Sequence, residues 1–198
     1  MHMKIIDSTI VNQSKFVNVV AVDYEDQRGN RKQWHMVSRG ERPKCITGRI
    51  DQPDAAIIVP YHRQSDRLAV IKEFRVPVGG YQYGFPAGLL DSGEELAAAA
   101  ARELREETGL DLVRVYRRSP AIFSSAGITD EAIAMVFAEV EGSPDTRGNE
   151  DSEDIEVFMM DRKALGELLQ RTDIVFGARA WLVMDAYVRI GEAYLTGG

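Results

Sequence analysis

The chain is 198 residues long, with 44% hydrophobic and 28% charged residues, the proportions of a soluble globular protein with one domain or one domain plus a modest extension. Its formal charge of −7 argues against bulk nucleic-acid binding, which relies on Lys and Arg to neutralise phosphates. The single cysteine, Cys45, cannot form an intrachain disulfide, the three histidines lack zinc-ligand spacing, and no apolar run reaches membrane-span length; a cytoplasmic location follows by default.

In chain order, Phe16–Tyr24 (FVNVVAVDY) and Lys32–Arg39 (KQWHMVSR) are rich in β-branched and aromatic residues. The turn-forming cluster Asp26-Gln27-Arg28-Gly29-Asn30 lies between them. This predicts a β-hairpin at the centre of a small N-terminal antiparallel sheet. A looser stretch runs through Pro43 and Gly48 to Pro53. The apolar runs Ala55–Pro60 and Leu68–Phe74 read as paired strands of a larger sheet, interrupted after Phe74 by Gly79-Gly80. Glu94–Thr108 is the clearest helix. Strands are expected at Ala132–Val140 and Ile155–Met160, on either side of the acidic loop Glu141–Asp154. Lys163–Gln170 and Ala178–Ala193 read as helices, the second packing Trp181, Leu182, Met184 and Tyr187 on the sheet. The whole pattern indicates a mixed α/β sandwich.

The central helix carries the chemistry. Ser92-Gly93-Glu94-Glu95 fits a capping box, with Ser92 accepting from the helix start and Glu95 reaching back. Gly109 stands where a left-handed C-terminal residue is wanted. Five alanines, Ala97 to Ala101, favour the helix. At the helical period Glu103, Glu106 and Glu107 fall within an arc of roughly 100°, while Ala97, Ala100, Ala101 and Leu104 form the adjoining apolar edge. Like charges so spaced cost an isolated helix roughly 0.2–0.5 kcal/mol per pair. Hard oxygen ligands on a rigid scaffold suit Mg²⁺ or Mn²⁺; a solvated acidic surface is the competing explanation.

The flanks decide between the two. Gly88, five residues, Glu94, seven residues, then Arg102-Glu103-Leu104-Arg105-Glu106-Glu107-Thr108-Gly109-Leu110 resembles a complete Nudix box, with every fixed position filled. The resemblance implies a Nudix α/β/α sandwich with a mixed sheet, and a small N-terminal antiparallel β-extension. It divides the chain into an extension at residues 1–52, for dimerisation and base binding, and a hydrolase domain at 53–198. It makes Glu103 and Glu107 direct metal ligands, Glu106 a further ligand or a contact through water, and the carbonyl of Ala87 a ligand completing the site. Two or three Mg²⁺ or Mn²⁺ ions are implied. Arg102 would orient the glutamates, and Glu94 would support them or contact a second metal.

Phe74-Arg75-Val76-Pro77-Val78-Gly79-Gly80-Tyr81 and Phe85-Pro86-Ala87-Gly88-Leu89-Leu90-Asp91-Ser92-Gly93-Glu94 resemble the ADP-ribose (ADP-sugar) pyrophosphatase branch. By that resemblance Arg75 grips the substrate diphosphate, a role that suits a planar, permanently charged fork. Phe16 and Trp34 match the two aromatic residues that sandwich the adenine, and Arg39 matches a basic residue near the phosphates. For Phe16 the competing reading is an ordinary core aromatic; for Arg75 it is a surface salt bridge. The branch exchanges its extension between two subunits, which implies a homodimer with composite sites. Glu153, in Glu153-Asp154-Ile155-Glu156-Val157, matches the position of the general base, with Asp151 and Glu150 in reserve. Two positions depart from the branch: Ser125-Ala126-Gly127 lacks its proline, and Gly84 stands where relatives tend to carry a glutamate.

The expected reaction is metal-dependent hydrolysis of a nucleoside diphosphate sugar. Two other functions compete with it. One is a Nudix hydrolase of another nucleotide, such as a dinucleoside polyphosphate or a nucleoside triphosphate. The other is a non-catalytic ADP-ribose sensor, which retention of every box glutamate disfavours.

Overall fold

A computed structural model of the chain describes residues 2–149 and 153–197; Glu150 and Asp151 lie outside the described residues. The chain divides into two compact units, one formed by Met1–Asp54 and Pro120–Ile133, the other by Ala55–Ser119 and Ala134–Gly198.

The first unit is built on a three-stranded antiparallel sheet in the order β1 (Lys4–Gln13), β2 (Asn18–Glu25), β3 (Arg31–Ser38). The hairpin expected from the sequence is β2–β3, in continuous register from Asn18↔Ser38 to Glu25↔Arg31. Its turn is organised by Asp26. The Asp26 carboxylate accepts from the amides of Arg28 at 2.8 Å and Asn30 at 3.0 Å. Those bonds, with one from the Asn30 side chain, hold its carboxyl down at about 2. Gly29 supplies the positive φ of 79° that the turn needs.

β1 was not expected from the sequence. It pairs with β2 through two register shifts and is exposed along nearly all its length, so it lacks the period-2 burial that marks a strand. The loose stretch contains a short helix, α1 (Lys44–Thr47). The unit is closed by β9 (Ile122–Phe123), which pairs with the first residues of β10 (Ala132–Glu141). Buried Asp130 ties its pieces together by accepting from Ser38 Oγ at 3.1 Å and from the amide of Lys44 at 2.7 Å.

The second unit is a mixed sheet of β4 (Ala55–His62), β5 (Arg67–Arg75), β6 (Gly80–Gly84), β7 (Ala87–Leu89), β8 (Asp111–Arg118), β10, β11 (Ile155–Met160) and β12 (Val175–Phe176). The strand order is β12-β6-β5-β4-β10-β8, with β11 also on β5 and β7 on β4; β12 runs parallel to β6, while β5 is antiparallel to β4, β6 and β11. Period-2 alternation sends Ala56, Ile58 and Ala69 to one face. There they pack on α2 (Leu96–Thr108) through Ala100 and Leu104. Alanines at the contact let the helix lie close to the sheet, and Leu104 is fully buried.

Tyr61 and Tyr187 stack edge-on at 6.1 Å and both donate to the Asp66 carboxylate, at 2.9 and 2.8 Å. Tyr187 belongs to α4 (Ala178–Ile190), which packs on α3 (Arg162–Leu169) and is followed by α5 (Glu192–Thr196).

Two expectations are corrected. α2 begins at Leu96 with Glu95 as its N-cap residue and no side-chain cap, so Ser92 does not open the helix. Residues 91–94 form a turn instead: the Glu94 amide donates to the Asp91 carbonyl at 3.0 Å, the Glu94 carboxylate accepts from the Asp91 amide, and Gly93 has φ 79°. In α4 the buried stripe is Ala180, Val183, Met184 and Tyr187, the i, i+3, i+4, i+7 positions. Trp181 and Leu182 lie off that stripe and are exposed.

Candidate active site

The acidic cluster is assembled from the helix and two strands of the second unit. β7 pairs with β4 so that Ala87 and Gly88 lie beside α2. Glu107 is only 5% exposed, and its Oε2 accepts from the Ala87 amide at 3.1 Å. Burial pushes its carboxyl up to about 9, against the lowering effect of that amide, and the charges of Glu73, Glu103 and Glu153 add to the rise. Glu103 is also raised by burial. Its carboxylate lies directly against Gly88, where any Cβ would overlap it. Glycine at 88 is therefore required by space, not by backbone conformation.

Arg102 is the hub. Its Nε and Nη2 fork onto Glu94 at 3.1 and 2.9 Å. Its Nη1 reaches Glu103 at 2.7 Å and Glu106 at 3.2 Å, and Nη2 also donates to the Leu89 carbonyl at 3.1 Å. Glu94 anchors the guanidinium, which in turn holds the Glu94 carboxyl below its usual range. Glu106 is the outer member of the group, with its side chain 51% exposed.

Gly109 ends the helix with φ 72°. A Cβ there would also come within 2.7 Å of Asp145, whose amide donates to the Thr108 carbonyl at 2.8 Å. The loop after β10 is thereby pinned to the C-terminal end of α2.

The sheet brings further charges to the α2 side. Ala69, Ile71, Glu73 and Arg75 alternate onto one face of β5. Ile155 of β11 pairs with Glu73, and Glu153 lies two residues before it. Glu153 contributes its charge to both Glu103 and Glu107, so the structure brings it to the cluster. Arg75 donates from Nη1 to Glu73 Oε1 at 2.6 Å. Glu73 was missed in the sequence; its spacing of two from Arg75 on a strand was the signal that could have found it.

In the first unit Phe16 is 70% exposed and Trp34 49% exposed, so neither is a core aromatic. Arg39 donates through Nε and Nη2 to Glu131 Oε2, both at 2.8 Å, and lines a cavity of ≈ 200 Å³ with Ser38 and Asp130. Glu131 was likewise not anticipated. Gly84 and Gly127 each leave open space where a Cβ would stand.

The donor set fits a hard divalent cation: carboxylate oxygens from adjacent helix turns, one of them deeply buried, beside a backbone segment whose glycine makes room for a carboxylate. Among the described residues no three acidic, histidine or cysteine side chains close on one point as they stand.

Residues 51–182 match the family model described as the NUDIX domain. The chain belongs to the Nudix family. The Nudix box is thus the Gly88–Leu110 segment just described. The chain is 32% identical over 167 residues to the ADP-ribose pyrophosphatase of Saccharomyces cerevisiae, covering 80% of this chain and 71% of that protein. It is 31% identical over 189 residues to the ADP-sugar pyrophosphatase of Mus musculus, covering 90% of this chain and 81% of the relative. The crystal structure of an ADP compounds hydrolase superposes with a TM-score of 0.72 at 23% identity, over 96% of this chain and 95% of the other, and shows the same Nudix fold.

Proposed function

We propose that this Nudix hydrolase cleaves the diphosphate of ADP-ribose or a related nucleoside diphosphate sugar, giving a nucleoside monophosphate and a sugar phosphate. The observation that carries the reading is the placement of Glu103 against Gly88 and of Glu107 on the adjacent Ala87 amide, in a chain similar to a yeast ADP-ribose pyrophosphatase and a mouse ADP-sugar pyrophosphatase.

Nudix hydrolases generally use divalent metal ions. Here Glu103, Glu106, Glu107 and the Ala87 carbonyl would hold Mg²⁺ or Mn²⁺, two or three ions per site. Such ions lower the pKa of a bound water and offset charge on phosphoryl oxygens. Arg102 fixes the rotamers of Glu103 and Glu106 for that task. Glu153 takes the proton of the attacking water as general base. Arg75 donates to the oxygens of the diphosphate. Phe16 and Trp34 stack on the base, and Arg39 serves the phosphate side. For ADP-ribose, one P–O bond breaks, water supplies the new oxygen, and the products are AMP and ribose 5-phosphate.

The extension at residues 1–52 acts in this scheme by joining two copies into a homodimer, each lending base-binding aromatics to the other. Exposed Ile5, Ile6, Ile10 and Val11 on β1 support a partner there. Among the described residues no helix is long and apolar enough to cross a membrane. The reading places the enzyme in the cytoplasm, where the free thiol of Cys45 stays reduced.

Product analysis across ADP-ribose, other nucleoside diphosphate sugars, dinucleoside polyphosphates and nucleoside triphosphates, with Mg²⁺ and Mn²⁺, tests the proposal. Much faster turnover of triphosphates or dinucleoside polyphosphates refutes it. Light scattering on a sizing column tests the dimer, and a monomeric mass refutes that part alone.

A further inference from the structure

β5 changes character along its length. Ala69 and Ile71 are buried on the α2 side of the sheet, and the next two residues on that face are Glu73 and Arg75. Opposite charges thus replace the apolar pattern just as the strand reaches the acidic cluster. The neighbours of Glu73 in register are Ile155 on β11 and Gln82 on β6, neither of them charged. Lys72, on the other face, is engaged with Glu156. Among the described residues Arg75 makes one side-chain hydrogen bond, from Nη1 to Glu73 Oε1 at 2.6 Å. A guanidinium has five N–H donors, so the Nε and Nη2 edges stay open. Glu73 lies on the same face as buried Ala69 and Ile71, and its charge acts on the buried carboxyl of Glu107. Glu73 therefore joins the cluster side of the sheet to Arg75.

We propose that Glu73 is a positioning residue that holds Arg75 by Nη1 beside the carboxylate cluster, leaving the rest of the guanidinium to receive the substrate diphosphate. The inference rests on the proposed role of Arg75. A long half-exposed arginine otherwise samples many rotamers and must give them up on binding. Its tether to Glu73 settles most of that in advance. The carboxylate has an opposing effect, since its negative charge lies near an anionic ligand. That repulsion is offset by the guanidinium, whose positive charge lies nearer to each anion than they lie to one another. The tether is a direct contact, so positioning outweighs the residual repulsion.

The test is calorimetric titration of ADP into protein in EDTA at physiological salt, for wild type, Glu73→Ala, Glu73→Gln, Arg75→Ala and the double variant Glu73→Ala/Arg75→Ala. Glu73→Ala is expected to weaken ADP binding about three- to tenfold, the cost of ordering one long side chain. Glu73→Gln, which keeps a neutral acceptor, falls between it and wild type. In the Arg75→Ala background the Glu73 substitution has no further effect; a merely structural role would weaken binding in both backgrounds. With metal, Glu73→Ala raises KM and leaves kcat nearly unchanged. Tighter or unchanged ADP binding in Glu73→Ala, additive losses in the double variant, or ADP binding indifferent to Arg75→Ala each overturns the proposal. Turnover of ADP-ribose by wild type tests the proposed function separately, because ADP binding requires neither hydrolysis nor a particular sugar.

Discussion

The two sheets treat their demanding side chains in opposite ways. Around α2, carboxylates are drawn inward and each is met by a partner: Glu107 by the Ala87 amide, Glu103 and Glu94 by Arg102. On the three-stranded sheet, large apolar groups stay outside, with Ile5, Ile6, Ile10, Val11 and Trp34 all exposed. The first region meets its buried carboxylates with polar partners and carries an excess of negative charge, which the proposed cations would balance. The second region leaves apolar surface uncovered, at a cost of about 25 cal/mol per Å², and this is the surface the proposed function gives to the base and the second chain. In the proposed scheme one sheet serves chemistry and the other recognition.

That contrast predicts where damage should fall. The largest effect is expected from Gly88→Ala. The new Cβ displaces the flexible end of Glu103 without disturbing backbone, so turnover should fall on the order of a hundred- to a thousandfold while the melting temperature barely moves. Steady-state kinetics beside a thermal melt would show it; parallel loss of both would mean that the recess is structural. Glu153→Gln follows, with a drop in kcat of about a hundredfold or more, as expected for loss of a general base. Near-normal turnover would remove Glu153 from that role.

On the recognition side, Trp34→Ala should act on KM rather than kcat, raising it by about tenfold, because an exposed ring contributes contact area and not charge. Its stability should stay within about 0.5 kcal/mol of wild type. An equal fall in kcat would blur the division between the two sheets.

The smallest effect is on stability against pH. Glu107 is pushed up to about 9 by burial, so between the ordinary carboxylate range and that value the folded protein binds more protons than the unfolded chain. Stability in EDTA should therefore decline as pH rises from about 6 to 9, by a few degrees of melting temperature. Saturating Mg²⁺ should flatten the slope by binding the ionised form. A melting temperature that climbs over this range in EDTA would contradict the burial argument.

Legibility in the sequence followed the same division. β2, β3, β4, β5, β10, β11 and the long helices showed in β-branched and apolar runs, helical period and turn chemistry. β1 was silent because its partner contacts are backbone bonds and its side chains face solvent, so no alternation is imposed. β6, β7, β9 and β12 are five residues or fewer, too short for a period to register. The start of α2 was misplaced because Ser92 and Glu95 have capping identities, while Gly93 and the Asp91–Glu94 turn hold the chain out of the helix until Leu96. The box glutamates stood out because their spacing, with the flanking glycines and Arg102, resembles the Nudix box. Glu73 and Glu131 were not, since each acts through an arginine: one pairs along a strand and the other spans 92 positions.

Three carboxylates share one guanidinium at Arg102. Replacing the arginine strands all of them at once, and replacing any one glutamate alters how the others are held. The effects of substitution at positions 94, 102, 103 and 106 should therefore be strongly interdependent rather than additive. A change tolerated beside one set of residues will be ruinous beside another, so this corner of the molecule has few single-step routes to an alternative. Laboratory evolution that seeks new substrates should find its freedom at the exposed rings and the open space around Gly84, and almost none at the hub.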